Sequence, residues 1–331
     1  MSKKTVLSFL GLIIVVILWG IAPVVSKYLF DNCFYSPALL VAMRGLLSCV
    51  AMLVFILITK GFKDINKSYW ICIPAGLILG AAYLFQFIGL NDTTPAKNTF
   101  LESMSCIAVP IMMFILAREK PSIPAICASV ACLLGAFVLC GDGWNFAAMF
   151  TKPTVGDILS CIGGIFFGID IAFTKVFAKN KNPFVFVFFQ LVILTMMSFI
   201  YALPFEKPLY FSWHWTNILI LFFLGVICTA VCWVMRTICI KNVSAVTCAV
   251  LMPMAAVIAT ITSIIFRIEK FSWNVVAGGL IITLAIVLSG VWDAHIEKKE
   301  QQKLQTESSI IEETDKKESE EIKDEQNPSE Q

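Results

Sequence analysis

The feature that constrains this chain most is a series of long apolar runs separated by short polar turns. Each run holds roughly 20 residues, the number that an α-helix needs to cross a hydrocarbon core about 30 Å thick. Helices are favoured because every backbone group is then hydrogen-bonded within its own segment. The runs are 6–26, 37–59, 70–90, 95–117, 123–140, 156–178, 184–203, 216–236, 243–266 and 273–292. The sequence therefore predicts an all-α polytopic membrane protein with ten transmembrane helices.

The composition agrees with a chain whose surface mostly faces lipid. Of the 331 residues, 58% are hydrophobic and 15% are charged, against about 45–50% and 25% in soluble domains. The net charge of +2 gives no indication of a nucleic-acid partner. The 12 cysteines are mostly scattered through apolar runs without metal-ligand spacing. We therefore expect them to be buried small side chains, and we expect neither a metal nor another cofactor.

Positive charges in the turns indicate the orientation of the chain. With the N-terminus inside, the inner segments hold about twice as many Lys and Arg residues as the outer loops, with Arg236 counted among the inner ones. We therefore expect a protein of the cytoplasmic (inner) cell membrane with both termini in the cytoplasm. Residues 293–331 are rich in Glu, Lys, Gln and Ser and lack aromatic residues. They are predicted to form a disordered cytoplasmic tail, because they can bury too little apolar area to fold.

Short motifs recur at a nearly constant separation, which indicates a duplicated unit. The recurrences are Trp19-Gly20-Ile21 with Phe167-Gly168-Ile169 (offset 148), Pro37 and Arg44 with Pro183 and Gln190 (offset 146), and Glu119-Lys120-x-Ser122 with Glu269-Lys270-x-Ser272 (offset 150). They predict one five-helix repeat at 6–140 and a second at 156–292. Because a unit with an odd number of helices must insert its second copy upside down, the two repeats are predicted to be inverted, as in many secondary transporters.

The motifs around these recurrences resemble those of the drug/metabolite transporter superfamily, in its form with two EamA-type repeats. They are Trp19-Gly20-x-x-Pro23, Arg44, Gly89-Leu90 before Thr94–Glu119, and Ser244-Ala245 through Pro253 to Glu269. The resemblance covers residues 6–292 and implies ten helices, a cavity open alternately to each side, and movement of amino acids, other small metabolites or toxic compounds. Ile171 stands where the second repeat would match Pro23, so the same kink is not implied in both halves.

Ionisable residues inside the apolar runs are the first functional candidates, because such groups are costly in lipid and face a bundle interior or a wet cavity. Arg44 and Glu102 each lie seven residues after a helix-initiating proline, roughly 10 Å below the outer surface. Their equal depth predicts an ion pair that lines the substrate path, with Glu102 as a site for a coupling proton. The alternative is a structural pair that only fixes helix packing.

Further candidates lie in the other runs. Asp170 is predicted in the inner half of the sixth helix, where it could take a proton or meet a substrate amine. Gln86 and Gln190 could line the path or only form hydrogen bonds between helices. Lys27 and Lys175 are predicted to extend to the membrane interfaces. Aromatic residues within the runs could form an apolar cavity wall or serve packing alone: Trp19, Tyr83, Phe87 and Trp233.

The prolines and the repeated Glu-Lys motif have structural interpretations. Pro23, Pro110 and Pro253 lie inside helices and free backbone carbonyls, so each is predicted to be a hinge beside the binding site or a static kink. The motif residues are predicted to form repeat joints, in which Glu and Ser serve the N–H groups of the following helix. These residues are Glu119, Ser122, Glu269 and Ser272.

The sequence thus predicts a secondary transporter that moves a small metabolite, such as an amino acid or related compound, by alternating access. It contains no Walker A, GxSxG or GxGxxG motif, so neither ATP hydrolysis nor another enzyme activity is expected. The expected partners are a small-molecule substrate, the lipid bilayer, and a coupling proton or an exchanged solute. A passive facilitator on the same fold, or a membrane-embedded enzyme or receptor, is the alternative.

Overall fold

The computed structural model describes residues 3–33, 35–59, 61, 65–119, 123–140, 154–206 and 214–288, and the predicted tail lies outside them. These residues form the helices α1 (Lys3–Cys33), α2 (Pro37–Ile58), α3 (Lys67–Asn91), α4 (Pro95–Ala117), α5 (Ile123–Cys140), α6 (Val155–Phe177), α7 (Pro183–Phe205), α8 (Trp215–Ile240), α9 (Ala245–Ile265) and α10 (Trp273–Leu288). Eight are long and apolar enough to cross a membrane; the apolar helices Ile126–Val138, within α5, and Trp273–Leu288 are shorter. The all-α fold class is confirmed for the described residues.

The helix starts follow from local sequence. A proline occupies the first turn of α2, α4 and α7, where its missing N–H is not needed. Side chains directly before four helices accept backbone N–H groups of the first turn. They are Thr94, Thr154, Asn182 and Ser244. These signals explain why the helices begin close to the first residues of the predicted apolar runs.

Burial is distributed as expected for a bundle surrounded by lipid. Arg44, Asp170 and Arg236 are at most 2% exposed. Large apolar side chains such as Ile58 and Leu288 are 75% and 68% exposed. Because charged residues of soluble proteins are almost never buried unless paired, charged groups inside and apolar groups outside indicate a lipid environment.

Two helices are interrupted at comparable points. α4 consists of Pro95–Glu102 and Ser105–Ala117, and α9 consists of Ala245–Leu251 and Met254–Ile265. At both interruptions a backbone N–H bonds to the carbonyl three residues back, from Met104 to Leu101 at 3.1 Å and from Ala255 to Met252 at 2.9 Å. Such 3₁₀-type turns tighten the helix and change the direction of the side chains around them.

The same close approach between helices occurs twice. A Cβ added at Gly168 in α6 would lie 2.5 Å from Ala108 Cβ on α4, and one added at Gly20 in α1 would lie 2.6 Å from Ile258 Cβ on α9. Both positions therefore require glycine. The members of the two contacts are related by the offsets of 148 and 150 residues found in the sequence.

Lys27 and Lys175, 148 residues apart, also make equivalent contacts. Lys27 Nζ donates to the carbonyl of Asn91 at the end of α3, at 2.7 Å. Lys175 Nζ donates to the carbonyls of Ile240 and Val243 around the end of α8, at 2.8 and 2.7 Å. Each ammonium satisfies carbonyls that a helix C-terminus leaves without partners. The predicted extension of these lysines to the membrane interfaces stays a prediction.

Candidate functional site

A small cavity lies inside the bundle, where α1, α2, α3, α4, α6, α8 and α9 meet. It is lined by Trp19, Ala22, Pro23, Arg44, Tyr83, Gln86, Phe87, Thr99, Glu102, Ser103, Phe167, Trp233, Met252 and Ala255. Its volume is about 30 Å³, space for roughly two water molecules. The fold thus brings most of the sequence candidates from the first half of the chain to one site.

Arg44 enters this cavity from α2 and is held without a carboxylate. Its Nε and Nη2 atoms donate to Thr229 Oγ1 at 2.9 and 2.8 Å. Its guanidinium carbon lies 5.3 Å from the centre of the Tyr83 ring and 5.0 Å from that of Phe87. Nη1 is buried without a hydrogen-bond partner. The predicted ion pair with Glu102 is wrong for these described residues, because the guanidinium is turned toward the hydroxyl and the aromatic faces.

Thr229 reaches Arg44 from a distorted part of α8. Phe223–Val231 forms a π-helical segment, and Thr229 Oγ1 donates to the Leu224 carbonyl, five residues back, at 2.7 Å. Such segments are frequent at functional sites. Sequence reasoning missed Thr229, because this apolar run gives no local signal for the distortion.

Glu102 is the last residue of the first part of α4, directly before the interruption. Gln86 Nε2 donates to Glu102 Oε2 at 2.7 Å. A Cβ added at Gly164 would lie 2.7 Å from Glu102 Cα, so α6 packs against the backbone of the interruption. Among the described ion pairs none involves Glu102. The carboxylate is thus positioned by an amide and not neutralised by a cation.

Aromatic side chains form one wall of the cavity. Trp233 Nε1 donates to Tyr83 Oη at 2.6 Å, and the ring centres of Trp19 and Trp233 lie 4.9 Å apart. The ring of Phe167, which sequence reasoning did not select, lies 5.6 Å from that of Tyr83. The repeat offsets relate Trp19 to Phe167 and Tyr83 to Trp233. The two ring contacts are therefore equivalent, and the wall lies where the halves of the chain meet.

A second polar cluster lies outside the cavity lining. Asp170 Oδ2 accepts from Arg236 Nη1 at 2.7 Å, and Asp170 Oδ1 accepts from Gln190 Nε2 at 3.0 Å. None of the three is more than 1% exposed. The assignment of Arg236 to an inner loop is wrong, because its side chain is buried within the bundle. The signal that could have found it is the repeat, since Arg236 lies 150 residues after Gln86.

The three predicted hinges have different settings. Pro23 lines the cavity inside the continuous α1, and Pro253 stands at the interruption of α9. Pro110 lies within the continuous second part of α4, whereas the interruption of α4 lies at Ser103 and Met104. The Ser103 hydroxyl donates to the Thr99 carbonyl at 3.0 Å. A hydroxyl that competes for helix carbonyls in this way favours departure from regular helix.

The residues of the predicted repeat joints are spread over several environments. Glu119 is exposed, and Ser122 lies outside the described residues. Ser272 stands directly before α10, and its hydroxyl donates to Asn274 Oδ1. Neither Glu119 nor Ser272 lines the cavity.

Two carboxylates beyond the helix ends contact helices of the other half of the chain. Glu269 accepts from the Ala96 N–H at the start of α4, so its predicted role with the following helix is wrong. Glu206, which sequence reasoning missed, accepts from the Ala38 and Leu39 N–H groups of α2 at 2.8 and 3.0 Å. Burial raises the pKa of both carboxyls, although these hydrogen bonds oppose the shift.

A larger groove of about 1030 Å³ runs between α4, α5 and α6 and is almost entirely apolar. Its charged members, Lys97 and Asp157, pair with each other at 2.6 Å. It therefore offers a solute no uncompensated charge among its lining residues. The small central cavity is the better candidate, because an arginine, a glutamate side chain and aromatic rings converge there.

Comparison with known proteins assigns a family to the chain. The profile of the EamA-like transporter family matches residues 6–141 and 154–291. An "Uncharacterized transporter" from Archaeoglobus fulgidus is 26% identical over 289 residues, which is 86% of each chain. A solved structure described only as "Crystal structure of protein" has a TM-score of 0.68 at 14% identity, covering 90% of this chain and 100% of the other. That last likeness shows the fold alone.

The resemblance to the drug/metabolite transporter superfamily, which contains EamA, is therefore confirmed. The family match covers most of the chain, and the apolar helices agree with it. The chain belongs to the EamA-like transporter family and is a multi-pass membrane transporter.

Proposed function

We propose that this transporter moves a small solute that carries both a negative and a positive group, such as an amino acid or a related metabolite. The observation that carries the proposal is that Arg44 and Glu102 line one cavity without neutralising each other. A solute carboxylate would bind the free Nη1 of Arg44, and the solute ammonium would bind Glu102. Charge-assisted hydrogen bonds of this kind are about twice as strong as neutral ones.

The surroundings of Arg44 support a ligand-binding role over a structural one. A charged side chain inside a bilayer is costly and normally pairs or faces a wet cavity. Arg44 is 2% exposed, yet its partners are a neutral hydroxyl and two aromatic rings. Cation–π contacts can contribute about 2 kcal/mol when desolvated, but they leave the positive charge in place. The uncompensated charge favours an anionic group of the solute as its partner.

The cavity has to enlarge to accept such a solute. Ligand pockets usually measure about 300–1,000 Å³, whereas this cavity measures about 30 Å³. The irregular parts of the bundle border it: Glu102 and Met252 stand at the interruptions of α4 and α9, and Thr229 lies in the π-helical segment of α8. These irregular points are where we expect the helices to move during transport.

The movement is alternating access between two inverted five-helix repeats, 6–140 and 156–292. The lysine contacts support the inversion. Thr93, just after α3, donates to Asp157 at the start of α6 at 2.9 Å, whereas Lys175 near the end of α6 bonds to the end of α8. The C-terminal ends of α3 and α8, each bound by an equivalent lysine, thus lie at opposite ends of α6. Inverted repeats with a central site are the usual basis of alternating access.

The distribution of Lys and Arg supports a location in the cytoplasmic membrane with both termini inside. Without an ATP-binding motif, the energy would come from a proton gradient or from solute exchange. In proteoliposomes, a proton-coupled carrier accumulates solute only when a pH gradient is imposed. Flux that is independent of the gradient, and of a second solute, would identify a passive facilitator.

Reconstituted flux tests the proposed site directly. Purified protein would be screened with amino acids and related zwitterions, and Arg44→Ala and Glu102→Gln would each be compared with the unchanged chain. Arg44→Ala should abolish flux and Glu102→Gln should lower flux of the zwitterion, while both variants still insert into the liposomes. Glu119→Gln is the matched control, because this carboxylate is exposed. Unchanged flux in both cavity variants would contradict the proposal.

A further inference from the structure

Two polar clusters occupy equivalent positions in the two halves of the chain. The cavity cluster is Arg44, Gln86 and Glu102, and the sealed cluster is Gln190, Arg236 and Asp170. The repeat offsets relate Arg44 to Gln190 and Gln86 to Arg236. Each cluster therefore has one arginine, one glutamine and one carboxylate, with the arginine and glutamine exchanged between equivalent helices.

The clusters lie at similar depths from opposite ends of the bundle. Arg44 is seven residues from the start of α2, and Gln190 is seven from the start of α7, about 10 Å in each case. Asp170 is likewise seven residues from the end of α6. α2 starts beside the end of α3 that Lys27 contacts, whereas α6 ends beside the end of α8 that Lys175 contacts. A solute that enters from the side where α2 starts would therefore meet the cavity cluster first. A solute that enters from the side where α6 ends would meet the sealed cluster first.

Trp233 separates the sealed cluster from the cavity. It lines the cavity and donates to Tyr83 Oη at 2.6 Å. The guanidinium carbon of Arg236 lies 4.6 Å from the centre of the Trp233 ring. A single indole therefore touches both places, and its movement would connect them.

The sealed cluster has unused hydrogen-bonding capacity although it is buried. Nε and Nη2 of Arg236 and Oε1 of Gln190 have no partner. Leaving such a buried group unsatisfied is unfavourable, because it has lost its hydrogen bonds to water without replacing them. Nε and Nη2 form one edge of the guanidinium, and this edge matches the two oxygens of a carboxylate.

We propose that the sealed cluster is a second binding site for the carboxylate group of the solute, entered when Trp233 moves away from Tyr83. Arg236 receives the carboxylate on its Nε and Nη2 edge while its Nη1 stays on Asp170. The solute carboxylate then passes from Arg44 to Arg236 as it crosses the protein. The passage of the solute from Arg44 to Arg236 rests on the proposed function.

A native thiol reports on access to the sealed cluster. Cys248 lies beside the Arg236 guanidinium and is 0% exposed. The purified full-length protein would be treated with N-ethylmaleimide, and the modification of each cysteine would be followed by peptide mass spectrometry. Trp233→Ala should accelerate modification of Cys248 severalfold and leave the modification of Cys72, which lies in α3 and is 2% exposed, unchanged.

A milder variant keeps the test valid if Trp233→Ala does not fold. Tyr83→Phe removes only the hydroxyl that holds the indole, so it should accelerate Cys248 modification by a smaller factor. If Cys248 stays as slow as in the unchanged chain in both folded variants, or if Cys72 accelerates equally, Trp233 is not the partition and the inference is overturned.

The chemistry of the site is tested with acetate in the Trp233→Ala background. Acetate should slow Cys248 modification severalfold relative to chloride, whereas methylammonium should not. Replacing both charges, by Arg236→Gln with Asp170→Asn, avoids an unpaired buried charge and should abolish the protection. Equal protection by methylammonium, or acetate protection that survives the double replacement, would overturn the carboxylate site. Neither outcome depends on flux through Arg44 and Glu102, so a failure here is distinguishable from a failure of the proposed function.

Discussion

In the cavity cluster the arginine contacts a hydroxyl and two aromatic rings, whereas in the sealed cluster the arginine contacts a carboxylate. Arg44 bonds Thr229 and keeps Nη1 free, while Arg236 is paired with Asp170 at 2.7 Å. Both guanidinium groups are almost completely buried. Burial alone therefore does not decide whether an arginine inside this bundle is paired with a carboxylate.

The helix that carries the acid accounts for the difference. Glu102 comes from α4, and its counterpart in the second half is Met252; Asp170 comes from α6, and its counterpart in the first half is Ala22. Both apolar counterparts line the cavity. One equivalent frame of helices thus gives an available arginine in one half and a paired arginine in the other.

The largest expected effect comes from breaking the sealed pair. Asp170→Asn leaves Arg236 buried without its counter-charge, which should lower the free energy of unfolding by about 3–5 kcal/mol. Glu102→Gln breaks no ion pair and should cost less than about 1 kcal/mol. Thermal unfolding of the purified variants measures both. Adding Arg236→Gln to Asp170→Asn should recover part of the loss, and equal destabilisation by Asp170→Asn and Glu102→Gln would remove the contrast between the clusters.

A smaller effect is expected where the cavity arginine is positioned. Thr229→Val removes the hydroxyl that accepts from Nε and Nη2 of Arg44. Flux should fall roughly tenfold, equivalent to about 1.4 kcal/mol. Thr260→Val is the matched control, because the Thr260 hydroxyl is also buried but bonds only to the Ala256 carbonyl of its own helix. Equal flux in the two variants would show that Thr229 does not position Arg44.

The equivalence of the two halves is tested at the paired lysines. Lys27→Gln and Lys175→Gln each remove a cation from the C-terminal end of a helix, and each should lower stability by about 1 kcal/mol. Thermal unfolding should give similar shifts for the two variants and almost none for Lys67→Gln, which is exposed. A large loss of stability in only one of the two lysine variants would show that the two contacts do not contribute equally to stability.

The smallest expected effect is a change of pH slope at Glu206. Its folded-state pKa is raised by burial, so the folded protein holds this proton more tightly than the unfolded chain does. The stabilisation is fully present below the ordinary pKa of 4.5 and is lost as pH rises through the raised value. Glu206→Gln should therefore flatten the fall in Tm between pH 4 and 7, about the range where a raised Glu pKa acts. An unchanged slope in Glu206→Gln would contradict a raised pKa of Glu206.

The sequence alone locates the helices and selects several of the residues that line the cavity, but it does not predict which side chains those residues contact. Apolar runs, initiating prolines and capping side chains placed the helices, because these signals are local. Arg44 and Glu102, which the sequence places at equal depth, both line the cavity, but the sequence does not predict their partners. Those depend on how each helix is rotated and on the π-helical segment that presents Thr229, which no local pattern specifies.

The sealed cluster was only partly predictable for a related reason. Asp170 and Gln190 were selected because polar groups in apolar runs need partners. Arg236 was assigned to a loop because it stands near the end of an apolar run, where a lysine or arginine usually reaches the interface. Applying the offset of 150 residues from Gln86 would have placed it in the interior.

The most direct test of the central claim is the selectivity of reconstituted flux between a zwitterionic solute and the same molecule without its amino group. The unchanged protein should prefer the zwitterion, because Arg44 and Glu102 then bind its two charges together. Glu102→Gln should lower this preference toward equal flux, whereas Arg44→Ala should abolish flux of both solutes. A preference that is the same in Glu102→Gln as in the unchanged protein would contradict a role for the two charges of the cavity in binding the solute.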